Sequence, residues 1–161
     1  MKTTGGPRAL RAATGCVIVG LLLIASGCAG PRLAPVDLHE PGWVVRESQV
    51  VWRPRRDAPE LVGELMVATH PDGRRFVQLS KQALPLITAQ ESSRGWNLSS
   101  TLRRGRFGGG PPATDRVPWF QFSSIPPSLP VSSRWQLETG TNGMWRLSQP
   151  ATGEVVEGGI P

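Results

Sequence analysis

Apolar and polar positions alternate along most of the chain after residue 43, which is typical of strands with two different faces. In 96–103, for example, Trp96, Leu98 and Leu102 share one face. Turn residues interrupt the alternation about every ten positions, as they do between antiparallel strands. The pattern predicts a mainly β domain, with a single antiparallel meander forming a half-open barrel or a strongly curved sheet and little helix. The predicted strands are 43–53, 61–69, 75–81, 84–91, 96–103, 117–122, 133–139, 144–149 and 154–157.

Two of the turns have sequences with a physical mechanism. In Pro71-Asp72-Gly73, Pro presets φ, the Asp side chain bonds nearby backbone and Gly adopts positive φ. Asn142-Gly143 is a strong short hairpin signal. Both sequences predict hairpins.

Two segments have features of a helix. Asp57 followed by Glu60 resembles a capping box, and the apolar positions of 61–66 suit a helix face. We prefer a strand, because the run continues through 67–69 directly into a hairpin turn. Residues 124–129 are the second candidate, and two prolines limit that helix to about one turn.

The N-terminus has the layout of a secretory signal. The first residues carry Lys2, Arg8 and Arg11 and no acidic residue. The apolar run that follows has about ten residues, whereas a membrane-spanning helix needs ~20. Small residues then lead to Cys28, and Ala25-Ser26-Gly27-Cys28 resembles the lipobox of bacterial lipoproteins, with Ala25 where Leu is usual. The resemblance implies that residues 1–27 are removed and that Cys28 is acylated and anchors the chain to a membrane.

Removal of residues 1–27 changes the charge and the cysteine count. Three of eighteen basic residues and none of twelve acidic residues are lost. The remaining chain has 15 basic and 12 acidic residues, so its net charge is +3 instead of +6. This mild charge does not favour nucleic acid as a partner. Cys28 is then the only cysteine, so no intrachain disulfide is expected. Residues 28–42, rich in Pro and Gly, predict a flexible tether to a domain at 43–161.

The sequence contains no recognisable catalytic set. His39 lies in the predicted tether and His70 beside a turn, and neither has metal-ligand spacing to other donors. There is no Gly-x-Ser-x-Gly motif. We therefore expect no enzyme activity, no metal and no cofactor.

A basic, glycine-rich stretch follows residue 102. Arg103, Arg104 and Arg106 precede Phe107 and a glycine run, which suits a lipid headgroup or an acidic partner. A phosphate-binding loop would need Gly-Lys-Ser or Gly-Lys-Thr, and Pro111-Pro112 stands there instead. We favour the alternative interpretation, a mobile and solvated loop.

Tryptophan is the most informative residue type. The chain has six Trp and no Tyr, and each repeated Trp-x-Leu motif would place a ring and a leucine on one face of a strand. One interpretation is a concave apolar face that binds an acyl chain, and the other is a filled barrel core. The motifs are Trp96/Leu98, Trp135/Leu137 and Trp145/Leu147.

The domain resembles the lipoprotein carriers and receptor of the Lol sorting pathway. The resemblance rests on 63–67 (GELMV), 95–98 (GWNL), 145–147 (WRL) and 152–154 (TGE), together with the lipobox. It implies a half-open barrel with a helical lid that carries the acyl chains of other lipoproteins. The receptor exposes an apolar residue on a hairpin tip, whereas the tip at 70–73 is polar.

The resemblance gives the functional expectation. We expect a membrane-anchored lipoprotein that binds acyl chains or other lipoproteins, with the membrane reached through the lipid on Cys28. Ala29 follows the cysteine, where Asp would retain a lipoprotein in the inner membrane, so the outer membrane is expected in a Gram-negative cell. The alternative is a structural or interaction lipoprotein of the envelope with a filled core and no ligand.

Overall fold

A computed structural model describes residues 33–102, 105–128 and 131–159. Within these residues nine antiparallel strands form one open sheet, and the only helix is a 3-10 turn at Pro118–Gln121. The predicted mainly β class is therefore confirmed. The strands are β1 (Val44–Arg53), β2 (Leu61–Thr69), β3 (Arg75–Lys81), β4 (Leu84–Ser92), β5 (Gly95–Ser100), β6 (Gly105–Gly109), β7 (Gln136–Thr139), β8 (Met144–Gln149) and β9 (Glu154–Gly159).

The first and last strands are neighbours in the interior of the sheet. The strand order is β6-β5-β4-β3-β2-β1-β9-β8-β7, so β6 and β7 are the two edges. Val50 of β1 lies opposite Gly63 of β2 on one side and opposite Gly158 of β9 on the other. Consecutive strands pair everywhere else, except that β6 and β7 do not meet.

The turn predictions are confirmed in detail. Asp72 Oδ1 accepts the backbone N–H of Arg74 at 3.0 Å, and Gly73 has a φ of 89°. Asn142 Oδ1 accepts the backbone N–H of Met144 at 3.2 Å, and Gly143 has a φ of 76°. The segment with helical features, 61–69, is strand β2.

The predicted strand at 117–122 is wrong. This segment contains the 3-10 turn, which begins at Pro118, and its side chains pack into the core rather than pairing with a strand. A proline cannot donate to a ladder, which disfavours an inner strand here. The predicted strand at 133–139 is also shortened to β7, because the backbone N–H of Trp135 closes a turn onto Ser132 O at 2.9 Å.

The prediction of a solvated loop in the glycine-rich stretch is wrong for residues 105–109. They form β6, which pairs with β5 and places Phe107 opposite Leu98. Gly109 lies against the ring of Trp96, where a Cβ would approach Nε1 to 2.9 Å. Described residues 124–128 form bends rather than the helical turn that 124–129 suggested.

A crossing segment, described for residues 110–128 and 131–135, lies between the two edges in sequence and packs in the interior of the sheet. Trp96 of β5 contacts Phe120 and Trp145 of β8 contacts Phe122, with ring centroids 5.4 and 5.5 Å apart. In a flat sheet β5 and β8 would be six strand spacings apart, or about 29 Å. Because their rings meet side chains only two positions apart, the sheet must be strongly curved.

The core lies between the concave face of the sheet and the crossing segment. Because alternate residues of a strand point to opposite faces, each strand contributes every second side chain to it. The buried core residues include Val50, Trp52, Leu65, Val67, Val77, Leu79, Ile87, Ala89, Trp119, Phe120, Phe122, Ile125, Trp135, Trp145, Leu147 and Val156.

Candidate functional site

Two of the three Trp-x-Leu motifs contribute to the packed core. Trp145 and Leu147 are buried on the concave face, and Phe122 of the crossing segment covers the Trp145 ring. Trp135 is buried as well, and its indole Nε1–H donates to Asp115 O at 2.7 Å. These three side chains are packed by the chain itself, as the filled-core interpretation expects.

The motif at residues 135–137 differs from the expected strand pair. Trp135 precedes β7, so only Leu137 lies in a strand. Leu137 is opposite Leu147 of β8 and is partly buried against the core.

The third motif lies near the open part of the concave face. Trp96 and Leu98 are only partly buried, and Leu98 lies opposite Ala89 of β4 and Phe107 of β6. Trp96 meets Phe120 edge-on, and Leu98 lines a cleft that the crossing segment also borders.

A charged pair on the concave face holds the crossing segment in place. Arg75 of β3 and Glu91 of β4 form an ion pair. Arg75 Nη1 donates to Phe120 O at 3.3 Å, and Glu91 Oε1 accepts the backbone N–H of Ala113 at 3.2 Å. Each partner thus bonds a backbone group of the segment as well as the opposite charge, which satisfies polar groups that would otherwise be buried without partners.

An open cleft of about 810 Å³ remains between the crossing segment, β4 to β6 and the loop after β1. Phe107 and Leu102 at its rim are 52% and 48% exposed. Trp52 Nε1–H donates to Glu154 Oε1 at 2.9 Å, so the polar end of this ring is bonded within the wall. The apolar lining consists of Trp52, Ile87, Leu98, Leu102, Phe107, Val117 and Trp119, flanked by prolines.

The cations of the cleft differ from those that the sequence suggested. Arg103 and Arg104 lie outside the described residues. Arg106 is exposed on β6 opposite Ser99, and because Phe107 points into the cleft, Arg106 points to the other face. The arginines that line the cleft are Arg55 and Arg116. Sequence reasoning missed both, because they come from loops that meet only in the folded chain.

The hairpin tips beside the cleft expose apolar side chains. Thr101 joins the β5–β6 turn to β4, with its N–H donating to Leu86 O at 3.0 Å and its Oγ1 to Pro85 O at 3.2 Å. Leu84 and Leu102, next to these bonded residues, are 68% and 48% exposed. The β3–β4 turn contains Gln82 and Ala83 with φ of 51° and 63°, a conformation that is strained for residues other than glycine.

The predicted anchor, including Cys28 and residues 1–27, lies outside the described residues. Among the residues that are described, no helix has the length and apolarity needed to cross a membrane. Within the same residues, no group of three or more His, Cys, Asp or Glu side chains is placed to hold a metal ion.

No protein-family model matches the chain, and no curated protein or solved structure is found to be similar to it. The resemblance to the Lol carriers therefore remains a prediction from the sequence.

Proposed function

We propose that this protein is a lipid-anchored envelope lipoprotein that binds an acyl chain in the cleft beside Leu98 and Phe107. The observation that carries the proposal is the cleft itself, about 810 Å³ in volume and lined mainly by apolar side chains. Ligand sites typically measure ~300–1,000 Å³ and are mostly apolar with a few polar groups. Burial of Phe107 and Leu102 by a ligand would also remove exposed apolar surface from water.

Two of the three charged residues that line the cleft, Arg55 and Arg116, suit the polar end of such a ligand, whereas the third, Glu154, accepts a hydrogen bond from Trp52 Nε1–H. Arg55 and Arg116 can donate several hydrogen bonds each to a carboxylate or phosphate. An amphipathic molecule with an anionic head and one acyl chain therefore fits the lining better than a purely apolar one.

The exposed Leu84 supports a role at a membrane. The resemblance to the Lol receptor implies an apolar residue on a hairpin tip, and the tip at 70–73 is polar. The strained β3–β4 turn exposes Leu84 instead, at the same end of the sheet as the cleft. Leu84 is therefore the residue we expect to contact lipid during any transfer of cargo.

A second candidate function is a structural or interaction lipoprotein without a ligand. Burial of Trp145 under the crossing segment, and of Trp135 within that segment, supports it, because much of the concave face is already filled. The two candidates differ only in whether the remaining cleft is used.

Fluorescent fatty-acid binding to the full chain separates the candidates. We expect micromolar binding that falls by about tenfold in Phe107→Asp, because a charge at the rim removes ~1.4 kcal/mol of apolar contact. Val62→Asp is the matched control, since Val62 is similarly exposed at 55% but points away from the concave face. Absence of binding by the unmodified protein, or equal loss in both variants, would favour the structural role.

Lipid labelling tests the anchor separately. Cys28→Ser should abolish uptake of labelled fatty acid and association with membranes, because serine offers no thiol for acylation. The unmodified protein should fractionate with the outer membrane of a Gram-negative cell. Equal membrane association of both forms would contradict the anchor.

A further inference from the structure

The end of the predicted tether is attached to the β2–β3 hairpin through Arg74. Its guanidinium donates from Nη1 and Nη2 to the two carboxylate oxygens of Glu40, both at 2.8 Å. Nε donates to Asp72 Oδ2 at 2.7 Å, which fixes the guanidinium on its own turn. The guanidinium also lies over the ring of Trp43, the first residue after the tether, 5.2 Å from the centroid, so Arg74 contacts the chain at the end of the tether and directly after it.

His70 gives a second point of attachment. Its Nε2 donates to Pro41 O at 3.2 Å, and its ring packs against Trp43 with centroids 5.3 Å apart. Gly42, with a φ of 106°, lies directly on this ring, where a Cβ would come within 2.6 Å of Nε2. Only glycine allows the chain to pass so close in this conformation. We call Glu40, Gly42, Trp43, His70 and Arg74 the tether clamp.

The chain before the clamp also lies against the domain. Glu40 N–H donates to Asp37 O at 3.2 Å and His39 N–H to Asp37 Oδ1 at 2.9 Å, which forms a local turn. Residues 33–36 face the β2–β3 and β4–β5 turns across a cleft of about 350 Å³. The described part of the tether therefore follows one end of the sheet.

The two carboxylates that bind Arg74 stay ionised near neutral pH. The hydrogen bond from the Arg74 side chain lowers the pKa of Glu40 below its ordinary value. The backbone N–H of Arg74, followed by the side chains of Arg74 and His70, lowers the pKa of Asp72 to about 2. Each carboxylate therefore keeps its charge to a lower pH than an unpaired carboxylate of the same type would.

The clamp and the acyl cleft lie at opposite ends of the strands. The clamp is beside the β2–β3 turn, whereas the cleft rim and Leu84 are beside the loop after β1 and the β3–β4 and β5–β6 turns. The ten residues of β1 separate the two ends by about 33 Å. From Cys28 to Leu33 the chain spans at most about 17 Å.

We propose that the closed tether clamp holds the acyl cleft and Leu84 on the side of the domain that faces away from the anchoring membrane. This inference rests on the lipid anchor of the proposed function. With the clamp closed, the domain cannot stand on the membrane on the far end of its sheet, because Leu33 would then lie about 33 Å above the membrane and the chain before it spans at most about 17 Å. With the clamp open, residues 28–43 extend to about 50 Å, which is long enough for the domain to turn over. The ion pair at the clamp thus selects between receiving a ligand from solution and contacting the membrane.

Site-specific quenching in vesicles measures the orientation. The acylated full chain leaves an introduced cysteine as its single free thiol, so a fluorophore is attached at Ser93 beside the clamp or at Asp57 beside the cleft, both exposed. Nitroxide-labelled lipid should quench the Ser93 probe strongly and the Asp57 probe weakly. Arg74→Gln should remove this difference. Arg46→Gln, which loses the same charge from an exposed position on β1, should leave it unchanged.

Amide exchange distinguishes failure of the clamp from failure of the anchor. Arg74→Gln should accelerate exchange of the Glu40 amide by about tenfold or more if the clamp closes in solution, and Arg46→Gln should not. Equal quenching at Ser93 and Asp57 in the unmodified protein would overturn the orientation. If the protein did not associate with vesicles, both the lipid anchor and the proposed orientation would be contradicted. Amide exchange would still show whether the clamp closes in solution.

Discussion

Phe122 meets Trp145 edge-on, with ring centroids 5.5 Å apart and an angle of 70° between the rings, although one belongs to the crossing segment and the other to β8. Trp119 stacks behind Phe122 at 6.3 Å, and Trp52 of β1 meets Trp119 edge-on at 5.1 Å. Four aromatic rings thus connect β1 to β8 through the interior. The curvature of the sheet depends on this row, because it fills the space that the curved strands enclose.

Phe122→Ala should lower the free energy of unfolding by ~3–5 kcal/mol, because Phe122 is fully buried and its removal leaves a cavity beside two tryptophans. Chemical denaturation followed by tryptophan fluorescence measures the loss. Phe107→Ala is the control for loss of a phenyl ring, and it should cost less than ~1 kcal/mol because Phe107 is half exposed. Similar losses in the two variants would contradict the packing of the crossing segment in the interior.

Gly158→Ala should destabilise the domain by ~1–3 kcal/mol through overpacking. A Cβ at this position would come within 2.6 Å of Trp145 Cζ2 and 3.0 Å of Val50 Cγ1. The neighbouring Gly159 is the control, since its nearest atom, Met144 Sδ, would lie at an ordinary 3.6 Å. Thermal melting of Gly158→Ala and Gly159→Ala makes the comparison, and equal melting temperatures would argue against close packing of Trp145 on β9.

Gly143→Ala should cost ~1 kcal/mol or more, because the Asn142-Gly143 turn needs a positive φ at that position. Gly110→Ala is the matched control, since a Cβ at Gly110 would meet no atom within 4 Å and its φ lies outside the glycine-favouring range. Urea denaturation of both variants measures the free energy of unfolding. An unchanged value in Gly143→Ala would contradict the β7–β8 hairpin turn.

Acid should protonate Asp72, which fixes the Arg74 guanidinium on its own turn, only at low pH. Asp72 has an ordinary pKa of 3.8 that is lowered to about 2 in the folded protein, so its contribution is present above pH 3.8 and is lost as the pH falls through about 2. A carbon-13 titration of the Asp72 carboxyl should show this midpoint. Arg74→Gln should raise the midpoint only partly, because the backbone N–H at position 74 remains. A midpoint near 3.8 in the unmodified protein would show that Arg74 does not hold Asp72.

The elements that depend on local chemistry were predictable from the sequence. The hairpins at Pro71-Asp72-Gly73 and Asn142-Gly143 form because their residues suit those backbone angles wherever they occur. The strand at 61–69 was also predictable, since it leads directly into such a turn. Of the face predicted from Trp-x-Leu, Leu98 lines the cleft, whereas Trp145 and Leu147 are covered by the crossing segment.

The remaining features depend on contacts between distant parts of the chain. The apolar pattern of 117–122 fits a buried strand and a buried irregular segment equally well. Which of the two forms depends on how the curved sheet packs around this segment. β6 contains three glycines and has low intrinsic strand propensity, but pairing with β5 overrides this preference. The cleft is lined by Arg55 and Arg116 only because distant loops meet in the folded chain, and the same holds for the pairing of the clamp residue Arg74 with Glu40. No local sequence pattern contains these tertiary contacts.

The pairing of β1 with β9 has a consequence for how the chain folds. Val50 and Gly158 meet across about 100 positions of sequence, whereas most other neighbouring strands are joined by short turns. The hairpins of β1 to β6 and those of β7 to β9 can form quickly as separate units, and their union must be slow because of its high contact order. Until β9 arrives, β1 is an unprotected edge that bears Val50 and Trp52, so the chain is most prone to pair with another copy before its last strand is in place.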